Sequence, residues 1–180
     1  RRDLAISGLL SLALLAVFSV AAGEAKAQSI RYLAFDAKDR TTQSLTRGVT
    51  LEVERGMFGA VAVRNLFSTS SRGSARFKAG GPNEVRSVLP DGARETRLYE
   101  IVQEGDGRGL ARALCPGSSQ AWLVVGRVRV ARPLTLQAVG LWPDGQYRHC
   151  VQLNYDYRGE WAVPQGVGSG DDSRPTAGPF

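Results

Sequence analysis

The sequence predicts an all-β protein: a single antiparallel β-sandwich or barrel-like domain with at most one or two short helices, preceded by an apolar N-terminal leader helix. Three observations lead there. Apolar and polar residues alternate with a period of two through most of the middle of the chain, the signature of strands buried on one face. The tripeptides Pro90-Asp91-Gly92 and Pro143-Asp144-Gly145 interrupt the alternation with strong turn chemistry. The chain has 21 glycines in 180 residues, which suits many short elements joined by tight turns.

The leader comes first. Leu4 to Ala22 is almost purely apolar or small; Arg1 and Arg2 precede it, and Ala25-Lys26-Ala27 follows. A basic start, an apolar middle and a small-x-small site make the layout of a signal peptide. Cleavage is expected after Ala27, so residues 1–27 are removed and the domain starts at Gln28. An uncleaved anchor is the rival reading, because a span takes about 20 apolar residues and Leu4 to Gly23 reaches that. The cut site and the immediate shift to polar sequence favour cleavage. Arg1-Arg2-Asp3-Leu4 resembles the core of a twin-arginine export signal. That resemblance implies export of an already folded domain and requires no cofactor. A general secretory leader that holds two arginines by chance is the other reading.

The strand-rich domain spans residues 28–163. A helix is expected over Asp36 to Leu45. Val49, Leu51 and Val53 then alternate with Thr50, Glu52 and Glu54; Arg55-Gly56 turns the chain into a second strand from Phe58 to Phe67. A second helix is expected over Gly107 to Leu114, where Leu110 and Leu114 lie four apart on one face. Further on, Trp122, Val124, Val128 and Val130 are expected on one strand face, with Leu123, Val125, Arg127 and Arg129 on the other. Leu134, Leu136 and Ala138 continue the alternation after Pro133. Beyond the turn at residues 143–145, the returning strand puts Tyr147, His149, Val151, Leu153 and Tyr155 on one face. Arg148, Cys150, Gln152 and Asn154 take the opposite face. Residues 164–180 are rich in Gly, Pro, Ser and Asp without apolar periodicity, and their composition predicts disorder.

The chain has two cysteines, Cys115 and Cys150. Behind an export leader, an even pair predicts a disulfide. The remaining chemistry is sparse. One His and one Met accompany the two Cys. A zinc site takes three or four His and Cys ligands, so with both cysteines bridged none can be built. Haem and copper sites fail for the same reason. A Ser-His-Asp triad would need His149 as its base, but its place on an apolar strand face predicts a structural histidine. No phosphate loop or dinucleotide fingerprint occurs, and Gly105-Asp106-Gly107-Arg108-Gly109 lacks the strand–helix frame and the Lys. No catalytic residue, metal or cofactor is therefore assigned.

Three local carboxylate pairs stand out: Asp36 with Asp39, Glu52 with Glu54, and Glu100 with Glu104. Glycoside hydrolysis needs two carboxyl groups at a set separation, so a small envelope glycan hydrolase is the alternative function. Trp142, Tyr155, Tyr157 and Trp161 are candidates for a sugar-stacking platform, against the commoner role of strand aromatics as core.

The net charge is +6. Arg supplies 20 of the 23 basic side chains, a bias that reads first as codon usage and second as bidentate anion binding. Arg64, Arg72, Arg76, Lys78 and Arg86 concentrate in one stretch with only Glu84 against them. A basic surface attracts polyanions in a salt-dependent way. These five residues are the candidate binding site, and an anionic envelope polymer or another envelope protein is the expected partner. Nucleic acid is not expected, and membrane contact is expected only through an uncleaved leader. The expectation is an exported binding or structural module of the cell envelope, periplasmic or secreted.

Overall fold

The computed structural model describes residues 29–56, 61–70 and 73–162. The leader, Arg72 and the tail from residue 164 lie outside the described residues. The elements run β1 (Ser29–Ala37), α1 (Arg40–Leu45), β2 (Val49–Arg55), β3 (Val61–Ser68), β4 (Ser74–Ala79), α2 (Glu84–Ser87), β5 (Arg97–Ile101), α3 (Gly107–Leu114), β6 (Gln120–Val125), β7 (Leu134–Leu141) and β8 (Tyr147–Ala162). Each strand pairs antiparallel with the next, and β8 returns to pair with β1, closing an eight-stranded barrel. The length of β8 makes closure possible. Over its 16 residues it pairs with β7 through Tyr147–Tyr155 and with β1 through Tyr155–Ala162. A closed barrel leaves no free edge.

The period-two pattern places the apolar residues inside. Phe35, Val49, Leu51, Leu66, Ile101, Leu123, Leu136, Leu153 and Tyr155 are each at most 1% exposed. An eight-stranded barrel is just wide enough for such side chains to fill it. Charged residues on the outer wall, such as Glu52, Arg76, Lys78 and Glu100, complete a polarity opposite to that of a transmembrane barrel. Helix α3 supplies Leu110, Ala111 and Leu114 to the same core and so plugs one mouth. Its C-cap, Cys115, is bonded to Cys150 of β8 with 5.4 Å between the Cα atoms. The predicted disulfide therefore ties the plug to the wall.

The outer wall carries a second, smaller core. Leu98, Trp122, Val124 and Val139 face outward and are covered by Val85 of α2, with Val88 and Leu89 beside it. The covering chain is the long connection between β4 and β5. It can lie close because Gly81 has no side chain: a Cβ there would come within 2.8 Å of both the Trp122 indole nitrogen and Leu98.

Helix α3 begins and ends where its leucine spacing predicts. The first helix starts at Arg40 instead of Asp36, because Asp36 and Ala37 still pair with Asp156 and Tyr155 of β8. Asp39 then caps it, its Oδ1 accepting from the Thr42 amide at 2.8 Å. The third helix, α2, exceeds the expected one or two. It is a single turn of four residues, too short to show a helical period.

Two face assignments are corrected. Strand β6 stops at Val125, and Gly126 packs where a Cβ would sit 3.1 Å from the Thr135 carbonyl oxygen. The alternation restarts out of phase beyond it. Val128 packs against the interior core, Val124 belongs to the outer one and Val130 is exposed. His149 also changes side. The β7–β8 register steps from Ala138↔Val151 to Val139↔His149, leaving Cys150 as a bulge. That extra residue turns His149 outward, while Cys150 and Val151 both pack against the interior.

Candidate functional site

The most elaborate polar arrangement lies on the outer wall of β7 and β8. Cross-strand pairing sets Thr135 opposite Asn154 and Gln137 opposite Gln152, with Val139 opposite His149. The side chains form one continuous chain of hydrogen bonds. Gln137 Nε2 donates to Gln152 Oε1 at 3.0 Å, Gln152 Nε2 to Asn154 Oδ1 at 3.0 Å, and Asn154 Nδ2 to Asp39 Oδ2 at 2.9 Å. Gln137 Nε2 also donates to Glu95 Oε2 at 3.3 Å. With both its amide protons engaged, Gln137 presents Oε1 to His149 Nε2 at 2.7 Å. A carbonyl oxygen only accepts. His149 therefore carries its proton on Nε2, and every donor in the series points from imidazole toward carboxylate. Such a run of amides polarises cooperatively.

Only 1% of Gln137 is exposed, because the Pro90–Glu95 stretch lies over it. Two grooves flank this covered midpoint. One, of about 410 Å³, lies between Lys38, Asp39, Pro133, Thr135 and Asn154. The other, of about 220 Å³, is bounded by Pro90–Glu95 and floored by Thr135, Gln137 and Gln152. The two share Thr135. The site offers amides, a hydroxyl and two carboxylates at set positions, which is hydrogen-bonding recognition chemistry and not a nucleophile with a base.

The electrostatics follow from these contacts. The Thr42 backbone amide, and after it the Asn154 side chain, hold the Asp39 carboxyl below the usual carboxylate range. Burial lowers the His149 pKa from its ordinary 6.5. Inside the wall, burial raises the Tyr155 phenol, whose hydroxyl lies 2.7 Å from Thr46 Oγ1. The His149 shift has a signed consequence. Below pH 6.5 the unfolded chain takes up a proton that the folded imidazole resists. Stability is therefore complete above that pH and declines as pH falls through the window toward the folded value. In His149→Gln the decline below pH 6.5 should flatten, as read by thermal melting. Identical pH slopes in both proteins would refute this assignment.

The five basic residues singled out in the sequence are not gathered into one cleft. Arg64 is the bulged residue of β3 and pairs with Glu54. On the outer wall of β4, Arg76 meets Glu104 at 3.0 Å, and Lys78 stands opposite Glu100 in the strand register. Arg86, on α2, donates through Nε and Nη2 to the Thr96 carbonyl at 3.3 and 2.9 Å. Arg72 lies outside the described residues.

The carboxylate pairs are likewise dispersed. Asp36 meets Arg158 at 3.6 Å, Glu52 accepts from Asn65, and Glu100 accepts from Gln120. Neither groove holds both members of any pair. Three of the aromatic candidates pack toward the interior and form no open platform: Tyr155 is fully buried, Tyr157 packs edge-on against Phe35, and Trp142 packs against the core with Arg148 over its ring; the Trp161 side chain lies outside the described residues.

Gln137, Gln152, Asn154 and Glu95 were not singled out from the sequence. The available signal was weak: Gln152 and Asn154 share the polar face of their strand, as solvated residues also do. No protein-family model matches the chain, and no curated protein or solved structure shows significant similarity to it.

Proposed function

We propose that the chain is an exported binding or structural module of the cell envelope that recognises its partner on the outer wall of the barrel. The observation that carries this reading is the filled interior. With Leu51, Leu123, Leu136, Leu153 and Tyr155 packed across it, the described interior is filled by side chains, so recognition falls to the wall. The disulfide suits an oxidising compartment, and the leader sequence supplies the route to it. The wall offers two surfaces. One is the amide-floored groove pair. The other is formed by the exposed cations of the Arg64–Arg86 stretch, Arg64, Arg76 and Lys78 on neighbouring strands, which an anionic envelope polymer or a partner protein would contact in competition with their own carboxylate neighbours. Glycan hydrolysis by paired carboxylates needs two carboxyl groups across one cleft, and the dispersal of the pairs favours binding over it.

Capture from envelope extract tests the reading. The protein should retain an envelope polymer or protein at low salt and release it as salt rises, since exposed charge contacts are screened. Replacing Arg64 and Arg76 by Gln should weaken that retention, and Gln152→Ala should weaken any part that resists salt. An absence of retained partner at every salt concentration would overturn it.

A further inference from the structure

We propose that the barrel end bearing the β6–β7 loop docks on an anionic bilayer surface. The antiparallel order puts the start of β1, the end of β2, the end of β6 and the start of β7 at one end of the barrel. The loop joining β6 to β7 runs Gly126-Arg127-Val128-Arg129-Val130-Ala131-Arg132-Pro133. It is pinned at its base by the Gly126 amide, which donates to the Thr135 carbonyl at 3.0 Å, and by Val128, which packs against the interior core. With Val128 turned inward, Arg127 and Arg129 project outward. Arg132 follows, and all three are exposed. Among the described residues, none of the three guanidinium groups has an ion pair or hydrogen bond. This sets them apart from Arg64, Arg76, Arg86 and Arg148, each of which is engaged.

The same end carries the apolar exposure. Among the described residues the large hydrophobic side chains left exposed are Ile30, at 41%, and Val130, at 40%. Ile30 is the second residue of β1; Val130 sits at the loop tip, where Ala131 adopts a left-handed φ of 59°. A non-glycine residue there is strained, and the turn it makes holds Val130 and the flanking arginines at the extremity.

The combination selects the partner. A polyanion such as a nucleic acid or an acidic glycan would use the arginines and leave Val130 and Ile30 without a role. A bilayer surface uses both: guanidinium groups meet phosphate headgroups, while an apolar tip enters the headgroup–acyl boundary. This surface is separate from the Arg64–Arg86 face, so the two readings fail independently.

The test is co-sedimentation of the chain from Gln28 onward, the form left by cleavage after Ala27, with phosphatidylcholine vesicles made with and without phosphatidylglycerol. Binding should require the anionic lipid and fall with salt. A variant with Arg127, Arg129 and Arg132 all changed to Gln should bind about 100-fold more weakly at low salt, with an unchanged melting temperature. The matching Lys variant should keep most of the affinity, and Val130→Asp should also weaken binding. Changing Arg40 and Arg112 to Gln, at the opposite end, should not. Equal vesicle binding by the Gln variant and the unmodified chain would overturn the proposal. So would equal affinity for neutral and anionic vesicles, or loss in the Gln variant of an acidic protein partner with vesicle binding unchanged.

Discussion

Replacing Cys115 and Cys150 together by Ala is expected to destabilise the protein by about 3–4 kcal/mol, the chain-entropy value for a closed loop of this length. The bond joins residues 35 apart in sequence. Its two ends are the C-cap of α3 and the bulge of β8, so it restrains the plug against the wall as well as shortening the unfolded chain. The melting temperature should fall by roughly 10–15 °C for a domain of this size. Reduction without mutation should reproduce most of that fall. Coincident melting curves for oxidised and reduced protein would show that the bond contributes nothing to stability and would direct attention to a redox role.

Leu110→Ala is expected to cost a further 2–5 kcal/mol or so, the usual range for deleting a buried leucine side chain. Leu110 is 0% exposed and belongs to the core cluster that fills the barrel. Removing it leaves a void under a helix of only eight residues, too short to persist without its packing. Leu110→Met, which conserves volume, should stay within about 1.5 kcal/mol. The two effects should not add. Once the disulfide is gone α3 is already loosened, so the same void should cost less in the double-Ala background. Denaturant titration of the four proteins measures the coupling. Strict additivity would mean that the plug and the bond act on separate parts of the structure.

The polar network was hard to read in the sequence for a specific reason. Gln137 resembles any polar residue on the solvated face of a strand. It is buried because the Pro90–Glu95 stretch, more than forty positions earlier in the chain, folds over it and Glu95 accepts from its amide. His149 was placed on the wrong face because alternation assumes an unbroken register. A bulge at Cys150 adds one residue, so His149 and Tyr147, before it, fall on the side opposite to Val151, Leu153 and Tyr155. Arg64 and Arg158 occupy two further bulges, and nothing in their local composition distinguishes them. Arg127, Arg129 and Arg132 lie close together in the sequence, yet their freedom from partners depends on where the acidic residues of other strands fall.

From the sequence alone came the period-two core, the position of α3 and the pairing of Cys115 with Cys150. Each rests on local spacing or on counting, and local spacing survives whatever the rest of the chain does. Closure into a barrel, the bulges, the covered amide network and the exposed basic end were decided only by the tertiary structure. These depend on register accumulated around eight strands, and one extra residue in any strand shifts every neighbour that follows.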